Sequence, residues 1–178
     1  MKIKSLALAA TVVLTATSVF ADYGRTVQGT WTIGGSMLFD NDTEKGSDIQ
    51  LTLSTGMYLE NGWMIGGYGS FLDNDWYNSS SFGATTKWHF WDFGWDGESV
   101  PFSMYLGCDL GIGFLKTGVA SNTAFVIGAR LGLDFFLTDY CSLGIAADIH
   151  TATDDIYTKS NDITNSDMSV KFSVMFYW

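Results

Sequence analysis

Few residues of this 178-residue chain are of types that do chemistry, and the first candidate is an acidic run. Residues 40–48 begin like a calcium loop, but such a loop requires glycine at its sixth position and glutamate at its twelfth. Lys45 and Leu51 stand at those positions. The two cysteines and two histidines also show no spacing typical of zinc. We therefore predict no metal site and no cofactor, and interpret the run as a solvated acidic segment, with loose binding of divalent ions as the alternative.

The elements that would position reactive side chains are β-strands, because the chain shows period-two alternation and almost no helical periodicity. Hydrophobic residues make up 47% of the chain and charged residues only 16%, which excludes a disordered chain and a coiled coil. Eight alternating segments are separated by polar turns. We predict strands over Val27–Phe39, Ile49–Leu59, Trp63–Leu72, Phe82–Phe90, Phe102–Phe114, Phe125–Leu137, Cys141–Ile149 and Val170–Trp178.

The first 21 residues predict a cleaved secretory signal peptide. Lys2 and Lys4 precede an apolar stretch, and Val19-Phe20-Ala21 forms a small-x-small cleavage site. Residues 22–178 would then be the mature domain. The whole chain has a formal charge of −10 and no cluster of basic residues, so we expect no nucleic-acid partner.

The charges within the strands indicate which way the apolar face points. A water-soluble barrel carries many charged residues along its strands, whereas these eight segments contain no glutamate and six balanced charges. All six lie opposite the large apolar side chains. They are Lys87, Asp109, Arg130, Asp134, Asp148 and Lys171. Because a cation on a lipid-facing surface costs about 2–4 kcal/mol at mid-bilayer, we predict that the apolar face contacts lipid and that the six charges form a structural ion-pair network in the lumen.

Aromatic residues at the segment ends predict two girdles at the membrane–water interfaces. A soluble core rich in aromatic residues is the alternative. One set comprises Trp88, Phe90, Phe102, Phe135 and Trp178; the other comprises Phe39, Phe71, Phe82, Phe114 and Phe125.

The connections alternate between short and long. Residues 60–62 and 138–140 form short turns, and residues 40–48, 73–81, 116–122 and 153–169 form long connections. With both termini in the periplasm, the long connections would lie outside the cell, which is typical of outer-membrane barrels. The connection Trp91–Val100 departs from this rule, since it is long where a short turn is expected.

The last segment places apolar residues at alternate positions up to an aromatic C-terminus. These residues are Phe172, Val174, Phe176 and Trp178. In this pattern, and in the opening segment Gly29–Ser36, the chain resembles small bacterial outer-membrane β-barrels of the OmpA/OmpX type, whose last strand is read by the barrel-assembly machinery. Those families usually end in Phe, from which Trp178 departs. The resemblance implies an all-β, eight-stranded antiparallel up-and-down transmembrane β-barrel in the outer membrane. It also implies three partners: membrane lipid, lipopolysaccharide and the assembly machinery.

Some barrels of this size act on lipid A with a His-x-Ser pair on a lipid-facing strand. The nearest match is His150-Thr151-Ala152, which lacks the serine, and both His150 and His89 lie in the lumen phase. We therefore predict no catalytic residue. Cys108 and Cys141 lie in the lipid-facing phase with one strand between them, so we expect two free thiols.

These features predict a non-enzymatic outer-membrane protein with a structural or adhesion-type surface role through acidic extracellular loops. A narrow channel for small solutes is the alternative, and a lipid A-modifying enzyme is the second alternative. An eight-stranded lumen is just wide enough for its own side chains, which favours a filled interior over a pore.

Overall fold

The computed structural model describes residues 28–42, 46–60, 62–73, 77–93, 102–118, 121–159 and 162–178. The predicted signal peptide, the start of the first predicted strand at Val27, and most of the connection Trp91–Val100 lie outside the described residues. No helix in these ranges is long and apolar enough to cross a membrane.

Eight strands close into an antiparallel up-and-down barrel, which confirms the predicted all-β fold class. A separate two-stranded hairpin, β8 and β9, was not expected from the sequence. The strands are β1 Trp31–Asp42, β2 Gly46–Glu60, β3 Trp63–Asp73, β4 Tyr77–Phe93, β5 Phe102–Thr117, β6 Ser121–Thr138, β7 Cys141–Ala152, β8 Tyr157–Lys159, β9 Asp162–Thr164 and β10 Ser166–Tyr177. Around the barrel they follow the order β1-β10-β7-β6-β5-β4-β3-β2.

The first strand begins later than predicted. Gln28 and Gly29 form a turn, and the φ angle of +88° at Gly29 lies in the left-handed region that favours glycine. The strand therefore starts at Trp31, and Gln28, which falls within the predicted strand Val27–Phe39, is exposed in the turn instead.

Several strands extend farther than predicted towards the long connections. The β1–β2 ladder continues to the pair Asp42–Gly46, and β10 begins at Ser166, four residues before the predicted start. The predicted strand ends rested on the alternation of apolar residues, which stops at the edge of the apolar band. Backbone pairing continues beyond that edge, so the strands are longer than predicted.

The register fixes the geometry of the closed sheet. The stagger of the sheet is found by moving from each residue to its partner on the next strand. Starting at Met168 of β10, these steps pass Cys108 of β5 and end at Trp31 of β1. Trp31 exchanges two backbone hydrogen bonds with Trp178, which lies ten residues beyond Met168 on the same strand. A stagger of this size in an eight-stranded barrel tilts the strands by about 40° from the barrel axis.

Three β-bulges lie at the end of the barrel that holds Trp31 and Trp178, which we call the terminal end. They fall at Tyr58/Glu60, His89/Trp91 and Phe136/Thr138. The opposite end, with the long connections, is the loop end. At the terminal end the turn between β2 and β3 contains Gly62 with a φ of +84°, and a Cβ there would meet the carbonyl oxygen of His89 at 2.7 Å.

Candidate functional site

The outward face of the barrel carries a band without charge. Between its aromatic girdles, no outward-facing side chain of the described strand residues is ionisable except Cys108 and Cys141, and the exposed charges Asp73 and Lys116 lie just beyond the loop-end girdle. Large apolar side chains such as Leu110, which is 52% exposed, cover the band.

The hydroxyl groups of two outward-facing threonines within this band donate hydrogen bonds to backbone carbonyl oxygens. Thr55 Oγ1 donates to the Thr32 carbonyl oxygen at 2.9 Å, and Thr86 Oγ1 donates to the Met64 carbonyl oxygen at 2.8 Å. A hydroxyl satisfied in this way needs no water. Such bonding suits a surface from which water is excluded.

Exposed aromatic side chains lie at both ends of the band, where the two girdles were predicted, and at the loop end they lie on the four neighbouring strands β3 to β6. At the terminal end Trp63 stacks on Trp88 with ring centroids 5.4 Å apart, and at the loop end Phe71 meets Phe82 edge-on at 5.1 Å. The terminal-end set also includes Trp31, Phe90, Trp91, Phe135 and Tyr140; the loop-end set also includes Phe114 and Phe125. Of the predicted members, Phe102 and Trp178 are only half-exposed, and the side chain of Phe39 lies outside the described residues.

The spacing of the girdles matches the thickness of a membrane. Phe125 and Phe135 lie ten residues apart on β6. At roughly 3.3 Å per residue and a tilt of about 40°, this separation corresponds to roughly 25 Å along the barrel axis. That is the usual height of the apolar band on outer-membrane barrels, about 25 Å.

The six charged residues predicted in the strands lie together in the lumen. Five are buried, and Arg130 has only 19% of its side chain exposed. Arg130 bridges two acids, with Nη2 2.9 Å from Asp109 Oδ2 and Nε 2.8 Å from Asp148 Oδ1. Lys171 Nζ lies 3.2 Å from Asp148 Oδ2. Four of the six charges thus form one continuous ion-pair chain.

The other two charges, Lys87 and Asp134, form a direct ion pair. The ammonium of Lys87 also lies 3.8 Å from the centre of the Tyr105 ring, which is a favourable cation–π position. A Cβ at Gly132 would collide with that ring, so glycine leaves the room that Tyr105 occupies. Each charge in this layer therefore has an opposite charge beside it, as a water-poor interior demands.

Both histidines lie in the lumen, where the alternation placed them. His89 is hydrogen-bonded on both ring nitrogens, to the Tyr58 hydroxyl at 2.9 Å and to Ser103 Oγ at 2.8 Å. His150 Nε2 lies 3.3 Å from Asp109 Oδ2. Neither imidazole faces the outward surface, where a lipid substrate would arrive.

An apolar cluster closes the lumen at the terminal end. Its members are buried, and Tyr177 is completely inaccessible, with its hydroxyl 3.0 Å from Ser142 Oγ. The cluster consists of Tyr58, Met64, Phe136, Met175 and Tyr177. This end of the barrel is sealed by ring packing and by a satisfied hydrogen bond.

A second apolar cluster partly covers the loop end. Ile156 comes from the connection after β7 and folds inward over Val126 and Leu115, and a Cβ at Gly113 would occupy its place. Hydrogen bonds fasten the connection, including Asn122 Nδ2 to the Asp155 carbonyl oxygen at 2.9 Å. The full cluster consists of Leu115, Ala124, Val126, Ala152 and Ile156.

Beside this cluster an open cleft of about 110 Å³ remains. It is lined by apolar, hydroxyl-bearing and aromatic side chains and by the carboxylate of Asp167. The β1–β10 ladder also ends here. It runs from Thr32–Tyr177 to Met37–Phe172 and stops, although both strands continue towards the loop end. We call this gap between Leu38–Asp42 and Ser166–Lys171 the seam.

Both cysteines are free thiols, and the register separates them widely. Cys108 pairs with Ala129 and Cys141 pairs with Thr138, so their partners lie nine residues apart on β6. That is about 30 Å along the strand, whereas a disulfide needs Cα atoms within about 7 Å.

The predicted acidic run 40–48 has no described side chains. In the described part of the chain, histidine, cysteine, aspartate and glutamate side chains form no group of three or more that could hold a metal ion. Among the C-terminal residues Phe172 is exposed, and Val174, Phe176 and Trp178 are partly buried. Their reading by the assembly machinery stays a prediction.

The large lumen-facing side chains at the two ends were not anticipated. Counting by two from each buried charge would have found several of them, because Tyr105 precedes Asp109 by four residues and Phe136 follows Asp134 by two. Ile156 had no such signal, since it lies outside the barrel strands.

Solved structures with this arrangement are small outer-membrane barrels. Neisserial surface protein A is 18% identical with a TM-score of 0.52, and the match covers 83% of this chain and 94% of that one. The N-terminal β-barrel domain of Pseudomonas aeruginosa OprF is 10% identical with a TM-score of 0.58, covering 88% and 100%. The outer membrane protein OprG from Pseudomonas aeruginosa is 14% identical with a TM-score of 0.50, covering 88% and 99%. No protein-family model and no curated protein sequence matches the chain. At these identities the likeness confirms the resemblance at the level of the fold.

Proposed function

We propose that this protein is a non-enzymatic barrel of the outer membrane, with both termini in the periplasm. Its filled lumen would act as a rigid support, and its loop end would serve a structural or surface-interaction role. The observation that carries the proposal is the charge-free outward band, bounded by two aromatic girdles about one membrane apart.

The closed interior supports this role over that of a channel. The lumen holds paired charges in its middle, an apolar cluster seals its terminal end and a second cluster partly covers its loop end, so an ion crossing the barrel would have to pass the sealed terminal end. The position of His150 supports a non-enzymatic role, because its imidazole contacts Asp109 inside the barrel rather than a lipid at the outward face.

Membrane residence is tested by an arginine scan of one strand. Leu131 is outward-facing and lies midway between the girdles, whereas the exposed Thr123 lies on the same strand beyond the loop-end girdle. In lipid vesicles Leu131→Arg should lower the free energy of unfolding by about 2–4 kcal/mol, and Thr123→Arg by about 0–1 kcal/mol. Equal tolerance of both substitutions, together with recovery of the native protein in the soluble cell fraction, would contradict the proposal.

Orientation is tested by labelling intact cells with a membrane-impermeant maleimide in a variant lacking Cys108 and Cys141. Asp154 is exposed at the loop end and Asp139 is exposed in the terminal-end turn after β6. Asp154→Cys should be labelled in intact cells, and Asp139→Cys only after permeabilisation. The reverse pattern would place the termini outside the cell.

Planar-bilayer recording separates the structural role from the channel. The refolded protein should be electrically silent. Steady openings of the unaltered protein would favour the channel instead.

A further inference from the structure

The cleft at the loop end coincides with the seam. Leu38, the first β1 residue beyond the paired ladder, lines the cleft from one side of the seam, and Asp167 of β10 lines it from the other. The remaining edge of each segment is paired, β1 with β2 and β10 with β7, so only the edges facing the seam lack a strand partner. The buried hydroxyl of Ser169, within the seam, has no hydrogen-bond partner among the described residues. The cleft therefore lies beside two strand edges that have no backbone partner in each other.

The side chains around the cleft favour a cation. Among the described residues Asp167 is the only charged one that lines it, and no described side chain forms an ion pair or a hydrogen bond with its carboxylate. Tyr77 and Tyr157 line the same space, and aromatic faces attract organic cations. An anion would be repelled by Asp167. A divalent metal ion would need more than one carboxylate or other strong ligand.

The size and the apolar part of the cleft limit the ligand further. A cavity of about 150 Å³ accommodates benzene, so about 110 Å³ suits a compact head group with a few carbon atoms. Leu38, Leu72 and Ile156 would contact those carbons. A longer chain would have to leave through the seam, where the outward-facing Met168 is 70% exposed. Met168 lies ten residues above Trp178 on β10, roughly 25 Å along the barrel axis and so level with the loop-end edge of the apolar band.

We infer that this cleft binds the organic ammonium group of an amphiphile, with Asp167 as the counter-ion and the tyrosine rings as walls, and that the ligand's chain extends through the seam. Recognition of the ammonium group follows from the cleft alone. Access from lipid rests, in addition, on the proposed membrane residence.

The ammonium site is tested with the purified protein in nonionic detergent, using tetramethylammonium chloride as the probe and sodium chloride as the ionic-strength control. Amide NMR shifts of Ser79 and Ser81, which line the cleft, should change and saturate. Asp167→Asn should weaken binding about tenfold. The matched control Asp154→Asn removes the same charge from an exposed loop position and should leave the affinity unchanged. Absence of saturation, or equal affinity in the two variants, would overturn the site.

Substitutions of Tyr157 distinguish an ammonium ligand, which the aromatic ring would bind, from a polyol, which the hydroxyl group would bind. Tyr157→Phe keeps the ring and should bind tetramethylammonium as the unaltered protein does, whereas Tyr157→Leu should weaken binding about threefold to tenfold. Equal weakening in both variants would assign recognition to the hydroxyl and overturn the choice of an ammonium ligand.

The lateral route is tested by closing the seam with a short bis-maleimide crosslinker, in a variant lacking Cys108 and Cys141. Phe39→Cys and Val170→Cys stand opposite one another in the continued register of the β1–β10 ladder, and Met37→Cys with Phe172→Cys is the control, because those residues are already paired. The crosslinked seam variant should lose affinity for dodecyltrimethylammonium and keep it for tetramethylammonium, while the control keeps both. Undiminished binding of the long-chain probe would overturn the lateral route. Neither result bears on membrane fractionation, so the two proposals fail separately.

Discussion

The two ends of this barrel close the same lumen in different ways. At the terminal end Tyr177 is completely buried, its hydroxyl bonds to Ser142, and the β1–β10 ladder is intact. At the loop end a connection contributes Ile156 as a partial cover, the ladder has stopped, and a cleft remains beside it.

The difference indicates where the molecule keeps freedom to bind. A buried ring with a satisfied hydroxyl favours one conformation, whereas unpaired strand edges and the unpartnered hydroxyl of Ser169 leave polar groups available. The charged layer lies between the two ends, and its ion pairs connect side chains of β4, β5, β6, β7 and β10. The terminal end is thus the structural part of the lumen, and the loop end is the part suited to a ligand.

The largest expected effect comes from the charged layer on which both ends depend. Arg130→Met would leave the carboxylates of Asp109 and Asp148 without their shared cation, and should lower the free energy of unfolding by about 3–5 kcal/mol. Urea unfolding followed by tryptophan fluorescence measures this change. Adding Asp109→Asn should recover part of the loss, because one buried charge is then removed. A harmless single substitution would mean that Arg130 is solvated and the lumen is wet.

A smaller effect is expected when a serine is replaced by alanine at each of the two ends. Ser142→Ala removes the partner of the buried Tyr177 hydroxyl and should cost about 1–3 kcal/mol. Ser169→Ala removes a buried hydroxyl that has no partner among the described residues, so its effect should stay within about 0.5 kcal/mol of zero or be slightly stabilising. The same unfolding measurement serves for both, and equal costs would show that the ends are packed alike.

The smallest expected effect is a difference in amide hydrogen exchange along β10 of the unaltered protein. Hydrogen exchange should be faster at those amides of Ser166–Lys171 that point towards β1 than at the corresponding amides of residues 172–177, because only the latter are paired with β1. Amide-resolved exchange of the protein in detergent measures the ratio. Equal protection along β10 would mean that the seam is closed in solution, and the contrast between the two ends would then be lost.

Much of the fold was predictable because strand alternation is a local property. Each predicted segment lies within or overlaps an observed strand, and Arg130 and Asp148 face the lumen as their phase required. The boundaries were less accurate at Trp31 and Ser166, where a turn and a polar hairpin replace the apolar signal. The two short strands β8 and β9 had no signal of this kind.

The candidate site was predictable only in part. The alternation of side chains along each strand showed that the six charged residues face the lumen, but it did not show which of them pair. Lys87 pairs with Asp134, 47 positions away, and that contact exists only because β4, β5 and β6 are neighbours at a particular register. The cleft could not be foreseen at all, since Asp167 lay in a predicted loop and Leu38 in a predicted strand with no indicated relation between them.

The sequence by itself determined the number of barrel strands, the face that each strand turns outward and the residues that carry charge into the interior. Those features follow from which side chains alternate within a single strand, a property that any short segment expresses independently. Only the tertiary structure decided the ten-residue stagger, the pairing of the buried charges, the two unlike closures and the gap beside Asp167. These depend on how the first and last strands meet when the sheet closes, and that meeting is set by the whole barrel at once.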